Sequence, residues 1–325
     1  MRAWRGIPAA SLVLVLGSVA GVALAQDKWP SKPIRMIVPF TPGSASDVLG
    51  RIVAQRLGEI YGQQLVIDNR PGAGGLIGSE LTRQAAPDGY TIAMVAQPHL
   101  SNVLLREDKP YDPLKDFTAI SLVASTPNVI VLGKGVAAKT IPDLIALANA
   151  KPGALNYGSA GIGSSSHLAG AMLVSKAKIN VVHVPFRQGG DSRSALIAGT
   201  IHFYVYPLPA IVTMLKAGTL RALAVASPKR SEALPELPTS AEAGFSQYRS
   251  ESWFGLIAPR ALPKRLAARI NADTAGVLKE SGTRQKFALQ GAEPGFGPPE
   301  HFDKMQREEY AELGALIKEI GMKVQ

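Results

Sequence analysis

Short apolar runs alternate with longer segments of helical spacing along most of the chain. The first run, Ile34 to Val38, is apolar and β-branched, and after a turn apolar residues follow at helical spacing: Val48, Leu49, Ile52, Val53, Leu57 and Ile60. A short continuous apolar run is typical of a strand buried on both faces, as in a parallel sheet. Strand–helix alternation of this kind predicts an α/β fold.

The same pattern continues towards the C-terminus. Further strands are predicted at 64–68, 90–96, 155–158, 181–186, 200–206, 221–226 and 252–259, and the last helices at about 263–279, 281–288 and 299–320. The long apolar run from Ser121 to Leu132 is broken by Pro127 and Asn128, which predicts a pair of strands crossing between two lobes. The strand at 252–259 is expected to return to the first lobe.

The first 25 residues have the pattern of an export signal. Arg2 and Arg5 make a positive start, Leu12 to Val22 is an apolar core, and residues 23–25 form a small-x-small cleavage site. The apolar run is shorter than the roughly 20 residues that a membrane span needs. We therefore expect cleavage after Ala25 and a soluble, exported product, for which a bacterial periplasm fits best.

Charge and cysteine content exclude several classes of protein. Removal of Arg2 and Arg5 with the leader lowers the net charge from +10 to +8. The basic residues are scattered and do not form the stripe that binds nucleic acid, so no nucleic-acid partner is expected. The chain has no cysteine, and its five histidines show no paired metal spacing. Neither a disulfide, a metal nor another cofactor is therefore expected.

The turn after the first strand offers a seat for an anion. Pro39, Pro42 and Gly43 end the strand, and Ser46 and Asp47 are good N-cap types for the helix that follows. A helix N-terminus at the end of a buried strand has free backbone N–H groups and a partial positive charge. An ordinary βα connection with a capping serine explains the same spacing, so both interpretations stay open at this point.

Two further segments lie at the same predicted edge of the sheet. The glycine-rich turn from Asn69 to Gly78 fits neither G-x-G-x-x-G nor the loop that ends in Gly-Lys-Ser/Thr. It is either a turn in which glycine permits positive φ, or a second set of backbone donors beside the first. Gln97, Pro98 and His99 follow the third strand, at the edge where α/β proteins bind ligands. His99 is expected to be a hydrogen-bonding loop residue.

A second strand–loop–helix unit runs from Leu155 through Ser159 to His167 and carries several hydroxyl groups. A hydrolase would need a G-x-S-x-G elbow, which the chain lacks, and adjacent serine and histidine are not thereby a catalytic pair. No enzymatic activity is expected, and Ser164–Ser166 with His167 remain the residues of a rival hydrolase interpretation. Arg187, after the next strand, is either a two-pronged carboxylate ligand or a solvent-facing arginine.

Ordered motifs extend from Trp29 to the last helix. They are Val38-Pro39-Phe40 with Gly43 and Asp47, Asn69–Gly75, Ala86–Thr91, Tyr111–Phe117, Ser164–Gly170, Val182–Pro185, Leu220–Val225, Pro238-Thr239 and Trp253–Gly255. This series resembles the Bug family of periplasmic solute-binding proteins, which serve tripartite tricarboxylate transporters.

The resemblance implies a periplasmic binding protein type II-like fold, with two α/β lobes joined by two crossing strands. Lobe 1 would comprise 27–124 and 252–325, and lobe 2 would comprise 125–251. Backbone groups of the first two βα loops hold a carboxylate in the family, and lobe 2 closes over it. The ligand-binding residues implied here are Phe40, Thr41, Pro42, Gly43, Ser44, Ala45, Ser46, Asp47, Gly74, Gln97, Ser159, Ala160, Gly161, Gly163, Ser164, Ser165, His167, Arg187 and Tyr206.

Two departures from the family pattern bear on the ligand. Many members have a second glycine where this chain has Ser44, which adds a hydroxyl donor. Many have Asp-Asn where this chain has Tyr206 and Pro207, which removes a partner for a ligand ammonium group and adds an aromatic wall. We therefore expect a small carboxylate without a charged amine, either dicarboxylic or aromatic.

The resemblance also implies partners and a mechanism. A monomer would capture the solute without chemistry, close by a hinge near 124–127 and 251–255, and be recognised by the membrane subunits of a tripartite tricarboxylate transporter. A sensory protein that presents the same solute to a membrane receptor would use the same closing cleft, and the sequence does not separate the two roles.

Overall fold

The computed structural model describes residues 29–187, 189–319 and 321–322, and in them strands and helices alternate as predicted. The strands are β1 (Ile34–Val38), β2 (Leu65–Asn69), β3 (Thr91–Ala96), β4 (Phe117–Leu132), β5 (Asn156–Ser159), β6 (Val182–Pro185), β7 (Phe203–Pro207), β8 (Arg221–Val225), β9 (Glu251–Pro259) and β10 (Glu293–Pro294). The α-helices are α1 (Ala45–Tyr61), α2 (Leu76–Arg83), α3 (Pro98–Leu104), α4 (Ile141–Ala150), α5 (Ser165–Ala177), α6 (Gly189–Ala198), α7 (Val212–Lys216), α8 (Lys264–Lys279), α9 (Ser281–Leu289) and α10 (Pro299–Glu319). The predicted leader lies outside the described residues.

The strands pair in the order β2-β1-β3-β9-β4-β7-β5-β6, and β8 and β10 also pair with β4. In lobe 1, β1 runs parallel to β2 and β3. In lobe 2, β5 runs parallel to β6 and β7. Parallel strands bring their carboxyl ends to one edge of a sheet, so each lobe gathers its βα loops at one edge.

The long strand β4 belongs to both lobes. Its first part pairs with β9 up to Pro127, and its last part, from Asn128 to Leu132, pairs with β7. β4 and β9 are therefore the two strands that cross between the lobes. The type II-like α/β fold is confirmed, while the residue boundaries of the lobes remain a prediction.

Each lobe has its own apolar core. The core of lobe 1 packs β1 against the buried face of α1, including Leu49 and Val53. The core of lobe 2 includes Phe203 and Val205 of β7. Leu168 of α5 is an exception, because it packs into the second apolar cluster of lobe 1. No described helix combines the length and apolar character needed to cross a bilayer.

Three local predictions were wrong. The run 121–132 is part of one continuous strand, because Pro127 lies where β4 changes partners and its missing N–H leaves the ladder largely intact. His99 lies in the short helix α3 instead of a loop; that helix is buried all round and so shows no helical alternation. The N-cap of α1 is Ser44, whereas Ser46 and Asp47 lie within its first turn.

Two histidines of lobe 2, His167 and His183, stack face to face with 4.0 Å between ring centroids. Nδ1 of His167 accepts a hydrogen bond from Gly163 N at 3.2 Å, and Nε2 of His183 lies 2.7 Å from Ser159 Oγ. Burial lowers the pKa of His167 to about 3, with a smaller contribution from His183, and burial lowers the pKa of His183 to about 4. Both rings are therefore neutral in the folded protein at neutral pH.

We expect the free energy of unfolding to fall as the pH is lowered from 7 to 4. The unfolded chain protonates both histidines near pH 6.5, well above their folded pKa values, so protons favour the unfolded state in that window. The double variant His167→Gln/His183→Gln should have a smaller slope of the free energy of unfolding against pH. The reduction is up to about 1.4 kcal/mol per pH unit for each histidine. Urea unfolding at four pH values measures this effect.

The control for this experiment is His301→Gln, because His301 is exposed. Its slope should match that of the wild type. An unchanged slope in the double variant would show that the two buried rings do not bind protons on unfolding.

Candidate functional site

Two strand–loop–helix units of similar construction face each other across the space between the lobes. In lobe 1, β1 leads to α1, whose N-cap Ser44 Oγ accepts a hydrogen bond from Asp47 N at 3.3 Å. In lobe 2, β5 leads to α5, whose N-cap Ser164 Oγ accepts from His167 N at 3.3 Å. Each serine satisfies one amide of the first turn, and the earlier amides of each helix have no intrahelical acceptor.

The two helix N-termini line one cavity between the lobes. Many of the predicted ligand-binding residues meet there: Phe40, Thr41, Ser44, Ala45, Ser46, Gly74, Ala160, Ser164, Ser165, Arg187 and Tyr206. Phe254 of the crossing strand β9 also lines the cavity, so the wall includes the connection between the lobes.

The remaining predicted residues lie outside this lining: Pro42, Gly43, Asp47, Gln97, Ser159, Gly161, Gly163 and His167. Gln97 is turned to α10, where its Nε2 donates to Glu309 Oε1 at 2.7 Å. Gly161 lines a neighbouring outer cavity, which shares Arg187 with the first. Ser159 and His167 are buried in lobe 2.

Asp47 ties the two lobe 1 loops together from behind the cavity. Its Oδ2 accepts from Gly43 N at 2.9 Å, and its Oδ1 accepts from Asn69 Nδ2 at 3.0 Å. Asn69 Nδ2 also donates to Phe40 O at 3.0 Å, and Arg51 pairs with Asp47 at 2.9 Å. Burial raises the pKa of the Asp47 carboxyl, but these donors outweigh burial and lower the pKa below its ordinary value. Asp47 therefore positions the loop.

Hydroxyl groups and tyrosine rings make the lobe 2 wall. Tyr204 and Tyr206 stack with 3.5 Å between ring centroids. Tyr204 donates to Ser166 Oγ at 2.9 Å, and Tyr206 Oη lies 3.1 Å from Ser192 Oγ. Burial raises the pKa of both phenols, so both stay protonated. Strand alternation places Tyr204 and Tyr206 on one face of β7, but sequence analysis did not select Tyr204 or Ser166 as ligand-binding residues.

The charge of the cavity is one-sided. Arg187 and Arg193 line it, and no acidic residue of the described chain does. Sequence analysis missed Arg193, four positions after the first residue of α6. The signal available in the sequence was its i+4 spacing from Gly189, since helical side chains lean towards the N-terminus. A cavity with two arginines and two helix N-termini suits an anion.

The geometry does not support the rival hydrolase interpretation. Ser164 Oγ donates to Gly161 O at 2.6 Å and lies 3.1 Å from Ser166 Oγ. Nδ1 of His167 is occupied by Gly163 N–H, and the serine beside His183 is the fully buried Ser159. Among the described residues, no serine that lines the cavity forms a hydrogen bond with a histidine ring. Among the described residues no cluster of acidic residues and histidines could hold a metal.

Comparisons with known proteins agree with this geometry. A family model described as tripartite tricarboxylate transporter family receptor matches residues 49–322. Protein BugT of Bordetella pertussis is 31% identical over 320 residues, which cover 96% of this chain and 98% of BugT.

Solved structures are also similar. An R. palustris structure with adipate has a TM-score of 0.87 and 34% identity, covering 91% of this chain and 99% of that one. MatC from Rhodopseudomonas palustris with bound malate has a TM-score of 0.83 and 27% identity, covering 89% of this chain and all of that one (100%). The matching family is one of receptors and not of enzymes. The predicted resemblance is confirmed: the chain belongs to the tripartite tricarboxylate transporter receptor family, alongside Bug proteins.

Proposed function

We propose that this receptor captures a small dicarboxylate or aromatic carboxylate in the periplasm and delivers it to a tripartite tricarboxylate transporter. The observation that carries the proposal is the cavity itself, which combines two serine-capped helix N-termini and two arginines with no acidic residue in its described lining. Two structural neighbours contain dicarboxylates, namely adipate and malate.

The first carboxylate docks at the N-terminus of α1. There the amides of Ala45 and Ser46 lack intrahelical acceptors, and the end of the helix carries a partial positive charge. The Asp47–Asn69 contacts hold the loop in place before the solute arrives. A seat that is already ordered avoids part of the entropy loss on binding.

The lining disfavours a solute with a charged amine. An ammonium group needs an acceptor of negative charge when it leaves water, and an unpaired buried charge is strongly unfavourable. Tyr206 offers only a neutral phenol there. The apolar and aromatic part of the wall, which includes Phe40 and Phe254, suits the hydrocarbon part of a carboxylate.

Closure takes place at the two crossing strands. Asn128 of β4 contacts the start of β9: its Nδ2 donates to Ser250 Oγ at 2.7 Å, and its Oδ1 accepts from Ser252 Oγ at 2.9 Å. Across the cleft, Ser101 Oγ donates to Gly163 O at 2.9 Å, so the lobes are in contact in this arrangement. Rotation of the lobes about 124–127 and 251–255 opens and closes the cavity. A solute stabilises the closed form through contacts that the open form lacks.

Ligand class is tested by mass spectrometry of co-purified solute and by calorimetry with adipate, malate, benzoate and glutamate. We expect at least one of the first three to bind about 100-fold more tightly than glutamate, because the ammonium group of glutamate would be buried without an acidic partner. An amino acid as the tightest ligand would contradict the proposal.

Two substitutions test the site. Asp47→Ala should weaken binding of the best carboxylate by about 10-fold, because it releases the Gly43 and Asn69 donors. Arg187→Ala should weaken binding by about 3- to 10-fold, since this arginine is exposed and its charge is partly screened. Calorimetry measures both affinities, and melting temperatures without ligand check folding.

The matched control is Arg249→Ala, which removes the same charge from an exposed position of lobe 2 outside the cavity. Its affinity should equal that of the wild type. If neither Asp47→Ala nor Arg187→Ala changes the affinity, the seat lies elsewhere.

Delivery is tested by capture of membrane partners. Immobilised receptor with saturating carboxylate should retain the membrane subunits of a tripartite tricarboxylate transporter from solubilised membranes. Retention of a sensory receptor in their place would assign the sensing role.

A further inference from the structure

The two arginines of the cavity differ in their surroundings. Arg187 is exposed and reaches both the inner cavity and the outer one. Arg193 is half-buried and lines the inner cavity but not the outer one. A charge that is partly withdrawn from water interacts more strongly with an anion than an exposed one does. The two residues therefore make different contributions to binding.

Arg193 belongs to lobe 2 but reaches lobe 1. It lies on α6 four residues after Gly189, so its side chain leans back over the first turn of the helix towards the cavity. A Cβ placed on Gly43 of lobe 1 would lie 3.6 Å from its Nη2 atom. Gly43 immediately precedes Ser44, the N-cap of α1. The guanidinium thus stands opposite the proposed carboxylate seat.

No protein carboxylate neutralises Arg193 within the described residues. Asp47 is the acidic residue nearest in sequence to Gly43, which Arg193 approaches. Its carboxylate is already held by Gly43 N, Asn69 and Arg51. Asp47 is 3% exposed and does not line the cavity. Burial raises the pKa of Tyr206, and the Arg193 charge opposes that rise, which places the charge beside the tyrosine wall. The neighbouring phenols are neutral and cannot balance it.

We propose that Arg193 binds the same carboxylate that docks on the N-terminus of α1, and thereby couples the negative charge of the solute to closure of the lobes. The inference rests on the proposed function. Lobe 1 amides approach the carboxylate from one side, and the guanidinium of lobe 2 approaches it from the other. A guanidinium fork donates two parallel hydrogen bonds to a carboxylate, which fixes the angle between donor and acceptor.

The coupling follows from where the contacts form. The α1 amides meet the carboxylate in both the open and the closed form, because seat and loop belong to one lobe. The Arg193 contact exists only when lobe 2 lies over the seat. A ligand shifts an equilibrium only through such differential contacts, so Arg193 converts binding into closure. Without an anion, closing would bring an unneutralised cation towards the positive end of α1, which disfavours the closed form.

The test uses adipate with the wild type, Arg193→Gln, Arg193→Lys and the surface control Arg249→Gln. Arg193→Gln should weaken binding by about 10- to 100-fold, the range of a lost charged hydrogen bond. Arg193→Lys keeps the charge without the fork and should fall between the wild type and Arg193→Gln. Arg249→Gln should bind as the wild type does. Melting temperatures without adipate verify that the variants are folded.

Small-angle scattering gives the readout that separates closure from binding. The wild type should become more compact when adipate saturates it, whereas Arg193→Gln at saturation should keep the radius of gyration of its unliganded form. Wild-type affinity and full compaction in Arg193→Gln would overturn the role of Arg193 and leave the proposed function standing. Failure of adipate, malate and benzoate alike to bind the wild type would overturn the proposed function, and the inference with it.

Discussion

The structure depends on main-chain amides that the fold leaves without acceptors. A helix cannot satisfy its first N–H groups internally, and in most proteins water or a capping side chain satisfies them. Here two serine caps, Ser44 and Ser164, satisfy the third amide of α1 and α5, and the residues that carry the earlier amides line a common cavity. Any solute that supplies acceptor oxygens and negative charge there is stabilised by both helix ends.

The rest of lobe 1 holds this seat still. Asp47 joins the loop after β1 to the end of β2 through Gly43 and Asn69, and Arg51 balances its charge from the helix surface. The Asp47 carboxylate is bound by these groups and does not line the cavity, and no other acidic residue of the described chain lines it. One residue thus fixes the loop and leaves the site positive.

The proposed rotation of the lobes takes place at the crossing strands. β4 changes partners at Pro127, next to the Asn128 network that satisfies the hydroxyls of Ser250 and Ser252. Polar side chains at a crossing can exchange partners with less loss than a packed apolar core, whose contacts depend on close fit. The apolar contacts are grouped differently: each lobe has its own core, and Leu168 is a packing contact between the lobes. The proposed rotation would leave both cores largely intact.

The sequence by itself determined the alternation of strands and helices and the family, and it predicted a seat for an anion in the loop at 39–47 without excluding an ordinary βα connection. These features are local, because apolar spacing, capping residues and ordered motifs are set by neighbouring residues. Only the tertiary structure decided which residues share the cavity, as Arg193 and Gly43 show. They are 150 positions apart in the chain, yet a Cβ on Gly43 would lie 3.6 Å from Nη2 of Arg193. Periodicity carries no information on such distances, since side chains from separate lobes meet only after the whole sheet has formed.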